Sequence, residues 1–340
     1  MKISVIWSWS RWLALSDVLA YNGNNVLVYA RDFERAEEIN IHHTAQKYLW
    51  DTIFDKKIKA NSNLKEVLDF SNYLITAVPS KSIISILKEI KSVKPSDNYF
   101  FINATKWFAN KKTIQQTINE YFPTHRWLVS VLWPWFAKEL INKNITCVCS
   151  VSSNENEALF VQALFSNNYF RVYTQSDVIG AEIYSAIKNA IAITSWIISW
   201  LWYDWINTKS SLITQWLREM SIIWKILWAK EETFFWLTWL WDLILTCSSN
   251  ESRNFQAWYQ IWKENSAENF LKKNRKTVEW LTTVSVVEWI AKKYNLELPI
   301  LHSLYLTIYE NAKPSDMLKA IMQRPPTDET LLYKQIKNIN

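Results

Sequence analysis

The chain carries 22 tryptophans and 2 glycines in 340 residues, and few folds can be built from that pairing. Glycine supplies left-handed turns and lets backbone approach backbone or ligand closely. An average soluble protein is about 7% glycine, and here the two residue types together make up that share. A coding sequence that uses UGA for glycine, written out with UGA as tryptophan, accounts for the exchange. Every tryptophan therefore has two readings, an indole and a glycine.

In other respects the composition is that of a soluble globular protein, 49% hydrophobic and 21% charged. The length allows two domains, each with its own core. A net charge of +6, spread along the chain, suits small anionic ligands and forms no stripe that would bind nucleic acid. The Trp-rich stretch from Trp196 to Trp205 lacks the interleaved Lys or Arg of a stacking platform for single strands. Cys147, Cys149 and Cys247 are an odd set without ligand spacing, read as reduced and structural, which points to the cytoplasm. His42, His43, His125 and His302 show no metal-ligand spacing and are assigned surface or packing roles, so no metal is expected. The start runs straight into a strand and lacks the regions of a signal peptide. The apolar run from Ala190 to Tyr203 is too short to span a membrane, so a buried helix is expected and stable membrane insertion is not.

Strand-like and helix-like segments alternate through the first half. Lys2 to Ile6 and Asn25 to Tyr29 read as strands, Arg11 to Tyr21 as a helix, and Tyr73 to Val78 and Asn98 to Asn103 as further apolar runs. Such alternation predicts a parallel sheet with crossover helices. From about Asp177 apolar residues recur three and four apart, in Ile183 to Ile198, Ser210 to Ala229 and Val278 to Lys293, which predicts helices only. The end, Arg324 to Asn340, is polar with Pro325-Pro326 and is expected to fray.

Trp7-Ser8-Trp9-Ser10-Arg11-Trp12 follows the first strand directly, with tryptophan at the three glycine places of G-x-G-x-x-G. That motif needs glycine for a tight turn, for backbone approach to a pyrophosphate and for packing of helix on strand. Three indoles would obstruct all three. Read with glycine, the segment is a dinucleotide fingerprint between strand and helix. The rival is an aromatic cluster of genuine tryptophans. At the end of the second strand, Arg31 leans toward the 2′-phosphate of NADP, while the neighbouring Asp32 leaves NAD open. The fold class is thus α/β, a Rossmann-type doubly wound sheet over 1–178 followed by an all-helical domain over 179–340 that closes the substrate site.

Further motifs occur in order along nearly the whole chain: Ala77-Val78-Pro79-Ser80, Ala104-Thr105-Lys106-Trp107, Trp133-Pro134-Trp135-Phe136-Ala137-Lys138-Glu139 and Ala186-Ile187-Lys188-Asn189. Leu212-Ile213-Thr214, Trp239-Leu240-Trp241-Asp242-Leu243, Ser252-Arg253-Asn254 and Val278-Glu279-Trp280 follow. In this order and spacing the chain resembles bacterial NAD(P)-dependent glycerol-3-phosphate dehydrogenase, and tryptophan falls repeatedly on that family's glycines.

The resemblance implies hydride transfer between a nicotinamide and carbon 2 of a three-carbon unit, interconverting dihydroxyacetone phosphate and sn-glycerol 3-phosphate for phospholipid synthesis. It makes Lys188 the catalytic lysine, which polarises the carbonyl and exchanges its proton. It places Lys106, Trp133, Trp135, Asp242, Ser252, Arg253 and Asn254 around the substrate, and Ser10, Arg11, Arg31, Lys106, Ala137, Arg253, Thr277 and Glu279 around NADP or NAD. A homodimer is also implied. Departures exist: Trp135 replaces a Ser or Thr, Tyr184-Ser185 replaces Gly-Gly, and Gln215 stands at a common Arg. Two rivals remain, a ketopantoate or 3-hydroxyacid reductase of the same fold group, and a non-catalytic protein in which the tryptophans are real.

Overall fold

The computed structural model describes residues 1–6, 10–49, 52–105, 109, 112–132, 137–182, 214–215, 217–223, 226, 260–261, 263–274 and 280–316. The chain divides into two compact units, Met1–Glu182 and Ile183–Asn340.

Eight strands form one sheet in the first unit: β1 (Lys2–Ile6), β2 (Asn25–Tyr29), β3 (Ile58–Asn61), β4 (Tyr73–Thr76), β5 (Phe100–Asn103), β6 (Trp127–Leu132), β7 (Thr146–Val151) and β8 (Phe170–Gln175). Their order is β3-β2-β1-β4-β5-β6-β7-β8. β1 to β6 run parallel, as the alternation predicts. β7 runs antiparallel to β6, and β8 parallel to β7. That reversal lies beyond the strands read from the sequence, which reach only to Asn103. The link between β6 and β7 holds a five-residue helix, Ala137–Ile141, which rises about 7.5 Å.

Helices α1 (Ser10–Tyr21), α2 (Phe33–Ile41), α3 (Gln46–Leu49), α4 (Leu64–Phe70), α5 (Ser80–Val93), α6 (Ile114–Tyr121), α7 (Ala137–Ile141) and α8 (Glu155–Phe165) complete the unit. Both faces of the sheet are buried, which is why the strands read as near-continuous apolar runs. Val5, Val28, Ile75, Ile102 and Val129 pack with Val18, Ile39 and Val161 on one face. Leu74, Phe101 and Leu128 pack with Val67, Ile86 and Ile118 on the other. Where helices end, the chain often turns through a left-handed residue. Gly23 does this after α1 at φ 87°, with Gly23 N donating to Ala20 O and Asn24 N to Leu19 O. Lys143 at φ 57° closes α7 in the same way, although its Cβ makes that conformation costlier.

In the second unit the described elements are helices: α9 (Glu268–Asn274), α10 (Trp280–Tyr294), α11 (Pro299–Tyr309) and a further turn over 217–223. α10 matches the predicted stretch from Val278 to Lys293. Pro299 starts α11 at a position where its missing N–H costs nothing. The buried Glu219 carboxylate accepts from Ile300 N at 2.7 Å and Leu301 N at 3.1 Å, satisfying two donors at that helix start. The predicted helix from Ile183 to Ile198 and the polar end from Arg324 to Asn340 lie outside the described residues.

Candidate active site

Parallel strands send their C-terminal ends to one edge, and in this order the direction of winding switches between β1 and β4. Four motif segments follow in sequence from strands that end at that edge, β1, β4, β5 and β6. Residues 7–12 lead from β1 into α1, Ala77-Val78-Pro79-Ser80 leads from β4 into α5, Ala104-Thr105-Lys106 follows β5, and Trp133-Pro134 follows β6. Segments far apart in sequence thus begin side by side.

Thr105 shows what one motif residue does locally. Its hydroxyl accepts from Val78 N at 3.1 Å and reaches Thr76 O at 3.4 Å, and its own N–H donates to Asn103 Oδ1 at 2.9 Å. The threonine of A-T-K therefore ties the loop after β5 to the loop after β4.

Arg31 follows the end of β2 with its side chain half exposed, and its Nη2 lies 3.3 Å from Glu89 Oε2 on α5. Tyr29 Oη donates to the other oxygen of Glu89 at 3.4 Å. Burial first, and then the Glu89 charge, push the Tyr29 hydroxyl up from its ordinary value. Asp32, which sequence alone leaves as a rival for the ribose, caps α2: its carboxylate accepts from Glu34 N at 3.2 Å and lies 3.7 Å from Arg35. Glu89 was not singled out from sequence, because 58 positions separate it from Arg31 and nothing local links them.

A buried polar cluster lies at the ends of β5 and β6. Thr76, Asn103, Ser130 and Val151 pair in one row across β4, β5, β6 and β7. Beneath that row the same face is apolar, through Leu74, Phe101 and Leu128. Over it sits Glu182, 5% exposed, on a helical turn that starts after Asp177, whose Oδ1 accepts from Gly180 N at 2.9 Å. Glu182 Oε1 accepts from Ser130 Oγ at 2.6 Å and Asn103 Nδ2 at 3.2 Å, and Oε2 accepts from Gln115 N at 3.2 Å in the first turn of α6. Burial pushes the Glu182 carboxyl up from its ordinary value, while the hydrogen bonds from Ser130, Gln115, Thr113 and Asn103 pull it down. Sequence reasoning missed this group; its one signal is a glutamate just ahead of Ala186-Ile187-Lys188-Asn189.

Of the residues singled out from sequence, Ser10 and Arg11 begin α1, Ala137 begins α7, and Arg31 stands at the end of β2. Lys106, Trp133, Trp135, Lys188, Asp242, Ser252, Arg253, Asn254, Thr277 and Glu279 lie outside the described residues. Cys147, half-buried, and Cys149, buried, lie on β7. His125 Nε2 meets Asn119 Oδ1 at 2.7 Å, and His302 Nδ1 meets Glu288 at 3.1 Å. Among the described residues no group of three or more metal-ligating side chains is found, and no helix is long and apolar enough to cross a membrane.

Family models for the N-terminus and the C-terminus of NAD-dependent glycerol-3-phosphate dehydrogenase match residues 2–158 and 177–319. Glycerol-3-phosphate dehydrogenase [NAD(P)+] of Staphylococcus epidermidis is 34% identical over 328 residues, 95% of this chain and 98% of the relative. The chain belongs to the glycerol-3-phosphate dehydrogenase family. The enzyme of the same name from Fusobacterium nucleatum is 35% identical over 95% of this chain and 97% of its own. The crystal structure of glycerol-3-phosphate dehydrogenase from Coxiella burnetii shares the fold, with a TM-score of 0.85, 24% identity, and coverage of 95% of this chain and 99% of that one. As in its family, the fold suits NAD or NADP: a winding switch between β1 and β4, the N-terminus of α1 directly after β1, and a half-exposed guanidinium at the end of β2.

Proposed function

We propose that this member of the glycerol-3-phosphate dehydrogenase family reduces dihydroxyacetone phosphate reversibly to sn-glycerol 3-phosphate with NADPH or NADH, supplying phospholipid synthesis. The observation that carries the reading is the match to both halves of the family, with four motif segments following strands that end at one edge of the sheet. The bound dinucleotide supplies or accepts the hydride. Residues of this chain do the rest. The Lys188 ammonium hydrogen-bonds the ketone oxygen and gives it a proton as the carbon is reduced; in the reverse direction the neutral amine takes the proton back. Lys106 adds a second positive charge that helps hold the substrate oxygens, Asp242 orients the lysine and the hydroxyls, and Arg253 grips the phosphate with a planar fork while Ser252 and Asn254 flank it. Trp133 and Trp135, as glycines, offer backbone N–H groups to the substrate. Ser10, Arg11, Arg31, Ala137, Thr277 and Glu279 hold the cofactor. The cofactor domain is 1–178 and the substrate domain 179–340. The working form is a cytoplasmic homodimer that needs no nucleic acid.

Steady-state rates with dihydroxyacetone phosphate and NADPH, beside ketopantoate, test the substrate. Turnover of the first alone is expected; turnover of ketopantoate alone overturns the assignment.

The tryptophans at the motif positions are glycines in the working protein. Indoles at 7, 9 and 12 would fill the space in which backbone meets pyrophosphate. Trp127 is different, because its ring packs edge-on against Phe100 and Phe160, each at 5.1 Å. Peptide masses of protein from its native source decide position by position. An intact mass of 40.4 kDa would overturn the exchange everywhere.

A further inference from the structure

We propose that Glu182 is a positioning residue for the reaction, its buried carboxylate tying the chain just ahead of Lys188 to the ends of β5 and β6. This rests on the reading of Lys188 as the proton donor. The carboxylate and two of its partners each stand one to four residues ahead of a segment of the proposed site. Asn103 precedes Ala104-Thr105-Lys106, Ser130 precedes Trp133-Pro134, and Glu182 precedes Ala186-Ile187-Lys188-Asn189. One side chain therefore links the three stretches of chain that these segments follow in sequence.

The directions of the hydrogen bonds are determined by counting protons. Ser130 Oγ accepts from Asn103 Nδ2 and from Gln115 Nε2, both at 3.1 Å, which fills its two acceptor positions. Its one proton is left for Glu182 Oε1, at 2.6 Å. Asn103 orients its amide by accepting from Thr105 N at 2.9 Å, so its donor side faces Ser130 and Glu182. On the other oxygen, Gln115 N can only donate. Ser130, Asn103 and Gln115 thus each point a proton at Glu182, and the positive end of α6 adds to them. A glutamine is the same size but cannot serve. Its NH₂ would face the Ser130 and Asn103 donors in one orientation and the Gln115 N–H in the other, leaving buried donors unpaired.

The test uses the full-length enzyme with E182Q, S130A and K188M. Rates are expressed per NADPH-binding site, and folding is checked by circular dichroism. E182Q is expected to lower kcat roughly 10- to 100-fold, the scale of an ångström-sized misplacement. KM for dihydroxyacetone phosphate and Kd for NADPH should stay within about threefold, well short of that kcat loss. S130A removes one donor and keeps the carboxylate, so a kcat loss of about fivefold is expected, and it decides the matter should E182Q not fold. Variants that melt earlier but keep wild-type kcat per site show a merely structural role and overturn the proposal. K188M with wild-type kcat overturns the reading of Lys188 and this proposal with it. Lost activity in K188M beside unimpaired E182Q and S130A overturns the proposal alone.

Discussion

Exchanging Glu89 for glutamine is expected to shift cofactor preference toward NADPH. The Arg31 guanidinium lies 3.3 Å from the Glu89 carboxylate, with side chains 50% and 38% exposed, so a 2′-phosphate must compete with that carboxylate for Arg31. An ion pair of this exposure contributes about 0.2–1 kcal/mol. Removing the competition should therefore lower the Kd for NADPH by about 1.4- to 5-fold. NADH, with a hydroxyl at that position, should gain nothing. Arg31→Ala tests the other side of the pair. A hydrogen bond to a charged group is worth about 1.5–3 kcal/mol when protected from water. Discounted for half exposure to about 1–2 kcal/mol, its loss raises the NADPH Kd by about 5- to 30-fold while NADH stays within about twofold. Titration of protein fluorescence with each cofactor measures both constants, and repeating it in 1 M salt, where the Debye length is about 3 Å, should shrink the NADPH effects. An Arg31→Ala protein that weakens both cofactors equally, or a Glu89→Gln protein with an unchanged ratio, would refute the reasoning.

K188M should lose about 10²–10⁴-fold in kcat, the usual contribution of a positioned acid, with NADPH binding intact by fluorescence. Glu219→Ala strips the acceptor from the Ile300 and Leu301 N–H groups, and urea unfolding should show a loss of about 1–3 kcal/mol. His125 has its pKa lowered from 6.5, chiefly by burial. Between 6.5 and the lower folded value the unfolded chain binds the proton and the folded chain does not, so stability falls as pH drops through that window. Urea midpoints from pH 7 to pH 5 should show this slope in the native protein and less of it in His125→Gln. Protein made with tryptophan at every written position should be poorly soluble and inactive in the dihydroxyacetone phosphate assay. Overpacking costs about 1–3 kcal/mol per site, and several such sites exceed a net stability of about 5–15 kcal/mol.

The strands and helices of the first unit were legible because each is local. Lys2 to Ile6, Asn25 to Tyr29 and Arg11 to Tyr21 declare themselves through β-branched runs and helical spacing, and β1, β2 and α1 form there. The antiparallel β7 was not legible, since a run such as Thr146–Val151 looks the same in either direction. Arg31 was visible as the residue after a strand; its partner Glu89 was not. Asp32 left NAD open in the sequence; in the structure it caps α2, a role that the following helix decides.

The family, its chemistry and the order of its motifs were determined by sequence alone, because short segments such as Ala104-Thr105-Lys106 and Ser252-Arg253-Asn254 carry their meaning in residue type and spacing. The Glu182 cluster was decided by the tertiary fold. Asn103, Ser130 and Glu182 are 27 and 52 positions apart along the chain, and parallel pairing brings the strand ends into one row beneath the carboxylate. Sequence spacing says nothing of such a meeting, because register and strand order arise from burying two apolar faces at once, and a buried charge finds its partners only after that burial has happened.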